Sequence, residues 1–333
     1  MVEDFDDAGA RTIQQVATGI YQTQALYVAT KLGVADLLSG GPQPAGVLAK
    51  QLGVRPDRLY RVLRYLCALG VFEQAGDGVF ANNAASEHLR STGQGSMGDL
   101  ALLFGEEFYR AWGNLLEAVR TGRDAFGIEF GCGLFEYLEQ NQSRGRIFDR
   151  AMAGGSAFLD AVPGSWDFSS MESIVDVGGG NGAALGALLA EYPELKGVLF
   201  ETSSVLEAAG ENLRRQGLGD RCELVAGNFF ESVPPGADGY LLSRVLHDWT
   251  DEQCVRILGN CRAAMGSGGR LMVVERLVPG LLALGADLNM LAVTQGRERT
   301  RQEMEALLSD SGFALRQVLE LPLEAKLLIA EPL

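Results

Sequence analysis

Apolar positions change period along the chain, and the changes mark out its organisation. From Ile13 to Leu32 they recur at helical spacing through Ile20, Ala25, Leu26 and Val28, with Leu32 and Val34 continuing the face. A short apolar helix is predicted over Val47 to Leu52, ended by Gly53. Another runs from Pro56 to Leu69, opening with Pro-Asp and carrying Leu59, Val62, Leu63 and Leu66 on one side. Gly70-Val71-Phe72 and Val79-Phe80 then flank Gly76-Asp77-Gly78, a hairpin signal. Helix, helix and hairpin in that order make a winged helix-turn-helix pattern. Residues from about Leu100 to Asp160 are helical, with aromatic and thioether side chains at Phe104, Phe108, Trp112, Phe135, Phe148, Met152 and Phe158. Such a stripe is usually core, although between two domains it could roof a flat aromatic ligand. Pro163-Gly164 then marks a boundary.

Beyond it the period becomes that of buried strands. Ile174, Val175 and Val177 form a short apolar run, interrupted by Gly178-Gly179-Gly180-Asn181-Gly182. Alanine and leucine recur from Ala183 to Ala190 at helical spacing, Pro193 closes the helix, and Val198-Leu199-Phe200 makes the next strand, ending in Glu201. That is a βαβ unit with a ligand-shaped turn. Glycines admit a bound molecule close to the backbone, the free N–H groups of the helix start face it, and an acid about 20 residues on can accept from ribose hydroxyls. The expected ligand is a nucleoside. Gly178-x-Gly180-x-x-Ala183 also satisfies the loose dinucleotide fingerprint. Asp176 argues the other way: a carboxylate just before the glycines would repel a pyrophosphate, but it could accept from the amino group of an amino-acid-bearing nucleoside. Strands continue at Glu223 to Val225, Gly239 to Leu246 and Arg270 to Glu275, with helices after Ser203, Thr250 and Thr300, an alternation that implies a parallel sheet. Leu315 to Leu319 and Lys326 to Ile329 are joined by a turn around Pro322 too short for a crossover, so they should be antiparallel.

Net charge is −15 over 333 residues, which argues against nucleic-acid partners. It also changes the reading of Arg55, Arg58, Arg61 and Arg64. Recurring every third residue on the second predicted helix, they could form a DNA-reading face, but in so acidic a chain a solvated face is favoured. No apolar run approaches membrane-spanning length, and Met1 to Asp7 is acidic without an apolar core, so a cytoplasmic protein is expected. Cys67, Cys132, Cys222, Cys254 and Cys261 lack paired metal-ligand spacing and read as small core residues; neither disulfide nor metal is inferred.

Three helix starts have capping-box spacing: Ser204 to Glu207, Thr250 to Gln253, and Thr300 to Glu303. The residues just before them fall at the carboxyl edge of the sheet, where ligands of open parallel sheets bind. Ser243-Arg244-Val245-Leu246-His247-Asp248-Trp249 precedes the second, Gly296-Arg297-Glu298-Arg299 precedes the third, and Glu275 ends an intervening strand. One histidine and two carboxylates are thus delivered to one rim. His247 is a candidate base, since an imidazole of pKa near 6.5 titrates at neutral pH, and Glu275 or Glu298 could hold its other nitrogen.

Asp176-Val177-Gly178-Gly179-Gly180-Asn181-Gly182, with Leu199-Phe200-Glu201 following, resembles the first two motifs of Rossmann-like S-adenosylmethionine-dependent methyltransferases. Leu246-His247-Asp248-Trp249, Val274-Glu275-Arg276, Asp287-Leu288-Asn289-Met290-Leu291 and Gly296-Arg297-Glu298-Arg299-Thr300 are similar to the motifs of class I O-methyltransferases of plant phenolics and bacterial natural products. Leu32-Gly33-Val34-Ala35-Asp36-Leu37-Leu38 and Leu63-Arg64-Tyr65-Leu66-Cys67-Ala68-Leu69-Gly70-Val71-Phe72 look like that family's dimerisation domain. The resemblance implies an α/β fold: a Rossmann-like seven-stranded methyltransferase sheet with an N-terminal, mainly helical winged-helix-like domain. It implies a dimerisation domain over 1–98, a helical linker and acceptor-pocket region over 99–162, and a catalytic domain over 163–333. Asp176, Gly178, Gly180, Glu201, Asn228, Phe229, Ser243 and Arg244 would hold S-adenosylmethionine. His247 would be the base, assisted by Glu275 and Glu298, for methyl transfer to a phenolic hydroxyl. Phe104, Trp112, Phe148, Met152, Asn289 and Met290 would line the acceptor site of a homodimeric enzyme. Gly227-Asn228-Phe229-Phe230 departs from the family's Gly-Asp-Phe-Phe; the asparagine carbonyl can accept the adenine amino group's bond, without the charge that strengthens it. Two alternatives stay open: a relative that binds the cofactor but performs hydroxylation, decarboxylation or pericyclic chemistry, and a winged-helix regulator that senses a nucleoside.

Overall fold

The computed structural model describes residues 8–91, 97–155, 157–266 and 268–333. By contacts the chain divides into two units, Met1–Tyr109 with Arg150–Gly155, and Arg110–Asp149 with Ser156–Leu333. Pro163 lies within the second unit, in the short helix Val162–Ser165.

In the first unit the apolar run begun at Ile13 forms two helices, Ala8–Ala17 and Gly19–Lys31. The break falls at Thr18, whose hydroxyl donates back to the Gln14 carbonyl at 2.8 Å, competing with the helix ladder. Helices Ala45–Leu52 and Pro56–Ala68 follow, then a small sheet of β1 (Gln43–Pro44), β2 (Glu73–Gly76) and β3 (Val79–Ala81) in the order β1-β3-β2. The hairpin is where its Gly-Asp-Gly turn placed it. Leu48, Leu63, Leu66 and Phe80 are fully buried and form the core. The arginine row stays in solvent: Arg55 and Arg58 lie 3.6 and 3.2 Å from the Asp57 carboxylate, and the Arg64 guanidinium sits 5.5 Å over the Tyr60 ring.

The second unit is built on β4 (Ser173–Val177), β5 (Lys196–Glu201), β6 (Cys222–Ala226), β7 (Gly239–Ser243), β8 (Arg270–Val278), β9 (Arg299–Thr300), β10 (Phe313–Glu320) and β11 (Ala325–Pro332). Seven of them run in the order β10-β11-β8-β7-β4-β5-β6, and short β9 pairs with β8 off that path. β6, β5, β4, β7 and β8 are mutually parallel, whereas β11 is antiparallel to both β8 and β10. Apolar clusters cover both faces, one including Ile174, Leu185 and Leu199, the other Val175, Tyr240 and Leu258, which is why the parallel strands read as continuous apolar runs. All five cysteines are free thiols; Cys254 and Cys261 are buried, and Cys67, Cys132 and Cys222 are half-buried, Cys67 and Cys222 packed against the apolar clusters.

Two local expectations are corrected. β7 ends at Ser243 instead of continuing to Leu246, because Arg244 turns into the left-handed region at φ 54°. The helix Ser203–Arg215 has Thr202 as its N-cap with no side-chain cap bond, so the Ser204 to Glu207 box does not form; the boxes at Thr250 and Thr300 do.

Candidate active site

The left-handed turn at Arg244 puts the histidine off the sheet. The Arg244 N–H makes the last rung to β8, donating to the Val274 carbonyl at 2.9 Å, and Leu246–Asp248 then winds into one tight turn. There the His247 backbone N–H donates to Glu275 Oε1 at 3.3 Å. Its ring Nδ1 lies 3.2 Å from Glu275 Oε2 and 3.0 Å from Glu298 Oε1. Both carboxylate side chains are 1% exposed, the imidazole 14%. Asp248, which sequence reasoning missed although it neighbours the histidine, adds a third carboxylate, with Oδ1 3.7 Å from Nε2. Nearby, Asp287 Oδ1 accepts the Glu298 N–H at 3.0 Å and fixes the backbone that carries that acid.

These charges revise the expected imidazole pKa near 6.5. Burial alone lowers it, but the charges of Glu275 and Asp248 and the hydrogen bond that the ring donates to Glu298 outweigh burial and hold His247 at about 10. Burial raises Glu275 and Asp248 in turn, against the pull of the imidazolium. Burial also pushes the Arg244 guanidinium down against the attraction of Asp248 and Glu275. The donor atoms of His247, Glu275 and Glu298 lie within 4.8 Å of one another, near enough for a metal ion; Glu298, however, hydrogen-bonds Nδ1, and Glu275 Oε2 faces the same nitrogen at 3.2 Å as a charge contact without a hydrogen bond.

The glycine turn and its surroundings fit a nucleoside. Gly178 and Gly180 have φ of 68° and 56°, conformations that favour glycine. A Cβ at Gly178 would press on Val245 and Phe229 at 3.1 and 3.3 Å, whereas one at Gly180 would meet open space. Glu201 reaches back to this turn: Oε2 accepts the Gly180 N–H at 3.2 Å and Oε1 the Thr202 N–H at 2.7 Å. Asp176 is fully buried, neither of its oxygens is within full hydrogen-bond geometry of a chain donor, and burial with the Glu201 charge outweighs the Leu185 backbone N–H and raises it to about 7. The Ser243 hydroxyl is likewise buried without a partner. Orphaned polar atoms beside an open glycine turn call for a polar ligand. Asn228 Oδ1 accepts the Phe230 N–H at 3.0 Å, and the Phe229 ring stands edge-on to Trp249 at 5.9 Å.

Of the expected acceptor residues, the second unit joins Trp112 to Asn289, the indole N–H donating to Oδ1 at 3.1 Å. Met290 is buried, 3.7 Å from the Thr294 hydroxyl. Phe148 stands edge-on to Phe135 at 6.2 Å, and Phe135 stacks on Trp249 at 5.2 Å. Phe104 and Met152 belong to the first unit, where Phe104 packs edge-on against Phe108 at 5.2 Å.

A doubly wound sheet with a nucleoside turn, and a carboxylate-held histidine on the neighbouring strand ends, define a Rossmann-like group-transfer enzyme. Residues 112–314 match the O-methyltransferase domain and residues 14–92 the O-methyltransferase dimerisation domain. The chain belongs to the S-adenosylmethionine-dependent O-methyltransferase family, with S-adenosylmethionine as its cofactor and the homodimer as its assembly. It is 43% identical over 331 residues to 3-amino-4-hydroxybenzoate 4-O-methyltransferase of Streptomyces cremeus, covering 98% of this chain and 90% of that one. It is 36% identical over 327 residues to phenazine-1-carboxylate N-methyltransferase of Pseudomonas aeruginosa, covering 97% of each. The crystal structure of LaPhzM matches with a TM-score of 0.95 at 40% identity, over 98% of this chain and 100% of that one. Among the described residues, no helix is long and apolar enough to cross a membrane.

Proposed function

We propose that the enzyme methylates a phenolic hydroxyl of a small aromatic natural product, with His247 as general base. The observation that carries this reading is the pairing at Nδ1: Glu298 accepts from it at 3.0 Å and the Glu275 carboxylate lies 3.2 Å away as a charge contact, which leaves Nε2, 3.7 Å from Asp248 and beyond hydrogen-bond reach of it, for an acceptor. With a pKa of about 10 the ring is an imidazolium at neutral pH, so the base is its minor neutral fraction, about 10⁻³ at pH 7; that fraction's proton affinity matches a phenol's, about 10, so the acceptor's proton passes to it with little free-energy difference. The imidazolium that results is already paired. Asp176, Gly178, Gly180, Glu201, Asn228, Phe229, Ser243 and Arg244 would hold the cofactor, which when bound supplies an electrophilic methyl on a sulfonium. Trp112, Phe148, Asn289 and Met290 would orient the acceptor. The same reading keeps 1–98 as dimerisation region, 99–162 as linker and acceptor region, 163–333 as catalytic region, and the cytoplasm as location.

The test is single-turnover transfer of label from S-adenosylmethionine to a panel of phenols and heteroaromatic amines across a pH series. His247→Ala should cut transfer to phenols by about 10² to 10⁴-fold at neutral pH, with the deficit shrinking toward pH ~10 as phenols ionise unaided. An undiminished mutant rate on phenols sinks the base role. A relative that acts on nitrogen supplies the contrasting arm, since an acceptor nitrogen without a proton to lose should be indifferent to His247. Label transfer to nothing in the panel favours the non-methylating alternative.

A further inference from the structure

The guanidinium of Arg299 is buried, 1% exposed, and its donors converge on the turn that carries His247. Nη1 donates to the Leu246 carbonyl at 2.9 Å and Nη2 to the Trp249 carbonyl at 3.0 Å, one on each side of the histidine. Nε and Nη2 both reach Asp251 Oδ1, at 2.9 and 2.7 Å, which anchors the plane of the group. The thiol of Cys254, itself 3.1 Å from the Leu246 carbonyl, lies 3.4 Å from Nη2. One residue earlier Glu298 addresses Nδ1, and at Gly296 the two backbones touch so closely that a Cβ would overlap the His247 carbonyl oxygen. The segment from Gly296 to Arg299 therefore meets the turn with a close approach, a carboxylate and a fork.

We infer that Arg299 is a positioning residue for His247, holding the carbonyls on both sides of it so that the ring meets Glu275 and Glu298 together. The inference rests on the reading of His247 as base. Only a planar fork reaches two carbonyls and a carboxylate at once; a lysine ammonium keeps the charge and the Asp251 partner but loses one or more of the carbonyls. Misplacement by about 1 Å costs on the order of 10²-fold in rate. The ionisable groups facing the imidazole are Glu275 from β8, Glu298 beside Arg299 and Asp248 within the turn, with Arg244 close to those carboxylates.

The chain contains two histidines, so ¹⁵N-histidine labelling reports His247 directly, with His88 as internal control. Arg299→Lys in the full-length enzyme should leave S-adenosylhomocysteine affinity within about twofold and His88 unmoved. It should displace the His247 ring resonances, lower their titration midpoint and slow single-turnover transfer by about 10 to 10²-fold. In a His247→Ala background the same change should slow transfer by less than about twofold more. Equal losses in both backgrounds, or unmoved His247 resonances, overturn the inference. If Arg299→Lys does not fold, Asp251→Asn releases the guanidinium's anchor and should move the same resonances in the same direction; resonances that stay put again overturn it. Full activity of His247→Ala on phenols removes the base reading instead, and the titration then decides the clamp by itself.

Discussion

Asp176 and His247 are both buried ionisable groups with a raised folded pKa, Asp176 through burial and His247 through carboxylates that outweigh burial. Asp176 is raised from the ordinary carboxylate range to about 7, by burial first and by Glu201 second. The folded chain therefore keeps this proton where the unfolded chain, with a pKa near 3.9, has lost it, and Asp176 withdraws stability as pH rises through that window. A ligand bearing an ammonium group favours the ionised carboxylate. Calorimetric affinity for S-adenosylhomocysteine should accordingly rise between pH ~6 and ~8 in the wild type and be flatter in Asp176→Asn; equal pH dependence in the two proteins removes Asp176 from cofactor binding. His247 has the same sign in a higher window, for a different cause. Its folded pKa of about 10 exceeds the ordinary value near 6.5, so its ion pairs contribute fully below the latter and are lost as pH rises through the former. Removing it leaves Glu275, Glu298 and Asp248 without their counter-charge, and His247→Ala should lower unfolding free energy by about 3 to 5 kcal/mol near neutrality. Urea titration should show part of that loss restored when Glu275→Gln is added; a further loss there means the carboxylates are held by something other than the imidazole. The identity of these residues could be read from strand ends and helix starts. Their proton affinities could not, because those depend on distances of 3.0 to 3.7 Å between segments up to 51 residues apart.

At the level of elements, the reliable sequence signals were those with a local cause. Thr250 shows this: its hydroxyl accepts the Gln253 N–H at 3.3 Å while Gln253 Oε1 accepts the Thr250 N–H at 3.1 Å, closing the box that its spacing announced. The helix Asp251–Ala264 thus starts immediately after the histidine turn and fixes Asp251. Thr250→Ala should cost about 1 kcal/mol in thermal or denaturant unfolding, within a range of roughly 0.5 to 2. Ser204→Ala supplies the contrast: the helix begins at Ser203, its N-cap makes no side-chain bond, and the change should stay within about 0.5 kcal/mol. Equal losses at the two positions would mean that capping geometry is not what separates them. Spacing failed at Ser204 because Thr202-Ser203-Ser204 offers three cap candidates in a row and the chain entered the helix from the first. It failed at Arg299 for a different reason. The helix start places Gly296-Arg297-Glu298-Arg299 at the ligand rim, but nothing in the run marks which arginine is buried, and only the fold shows that Arg299 lies against another segment. The bend at Arg244 was equally silent, since a positive φ at a non-glycine residue leaves no mark in an apolar pattern.

For the whole molecule, the sheet was legible because connection length fixes strand direction. The turn at Pro322 is too short for a crossover, and β10 and β11 pair antiparallel with Phe313 opposite Pro332 and Glu320 opposite Lys326. What covers an apolar face is not encoded in the same way. The helical periodicity that begins at Ile13 reads like a core face, yet Ile13 and Val16 are 71% and 75% exposed, and Ile20 and Tyr21 46% and 60%. They belong to the helices Ala8–Ala17 and Gly19–Lys31, and residues 14–92 match the O-methyltransferase dimerisation domain. Exposed apolar side chains on a domain of that kind are expected to be buried by a second copy of the chain. Light scattering of the intact protein should report twice the 35.7 kDa chain mass. Val16→Asp combined with Ile20→Asp places two charges on that face; desolvating them unpaired in an interface is unfavourable, so the variant should shift toward the single-chain mass at micromolar concentration. Unchanged S-adenosylhomocysteine binding in the same sample would show that the second unit has kept its fold. If the doubly charged variant remains dimeric, these helices lie outside the interface and the contact must be sought elsewhere in the chain.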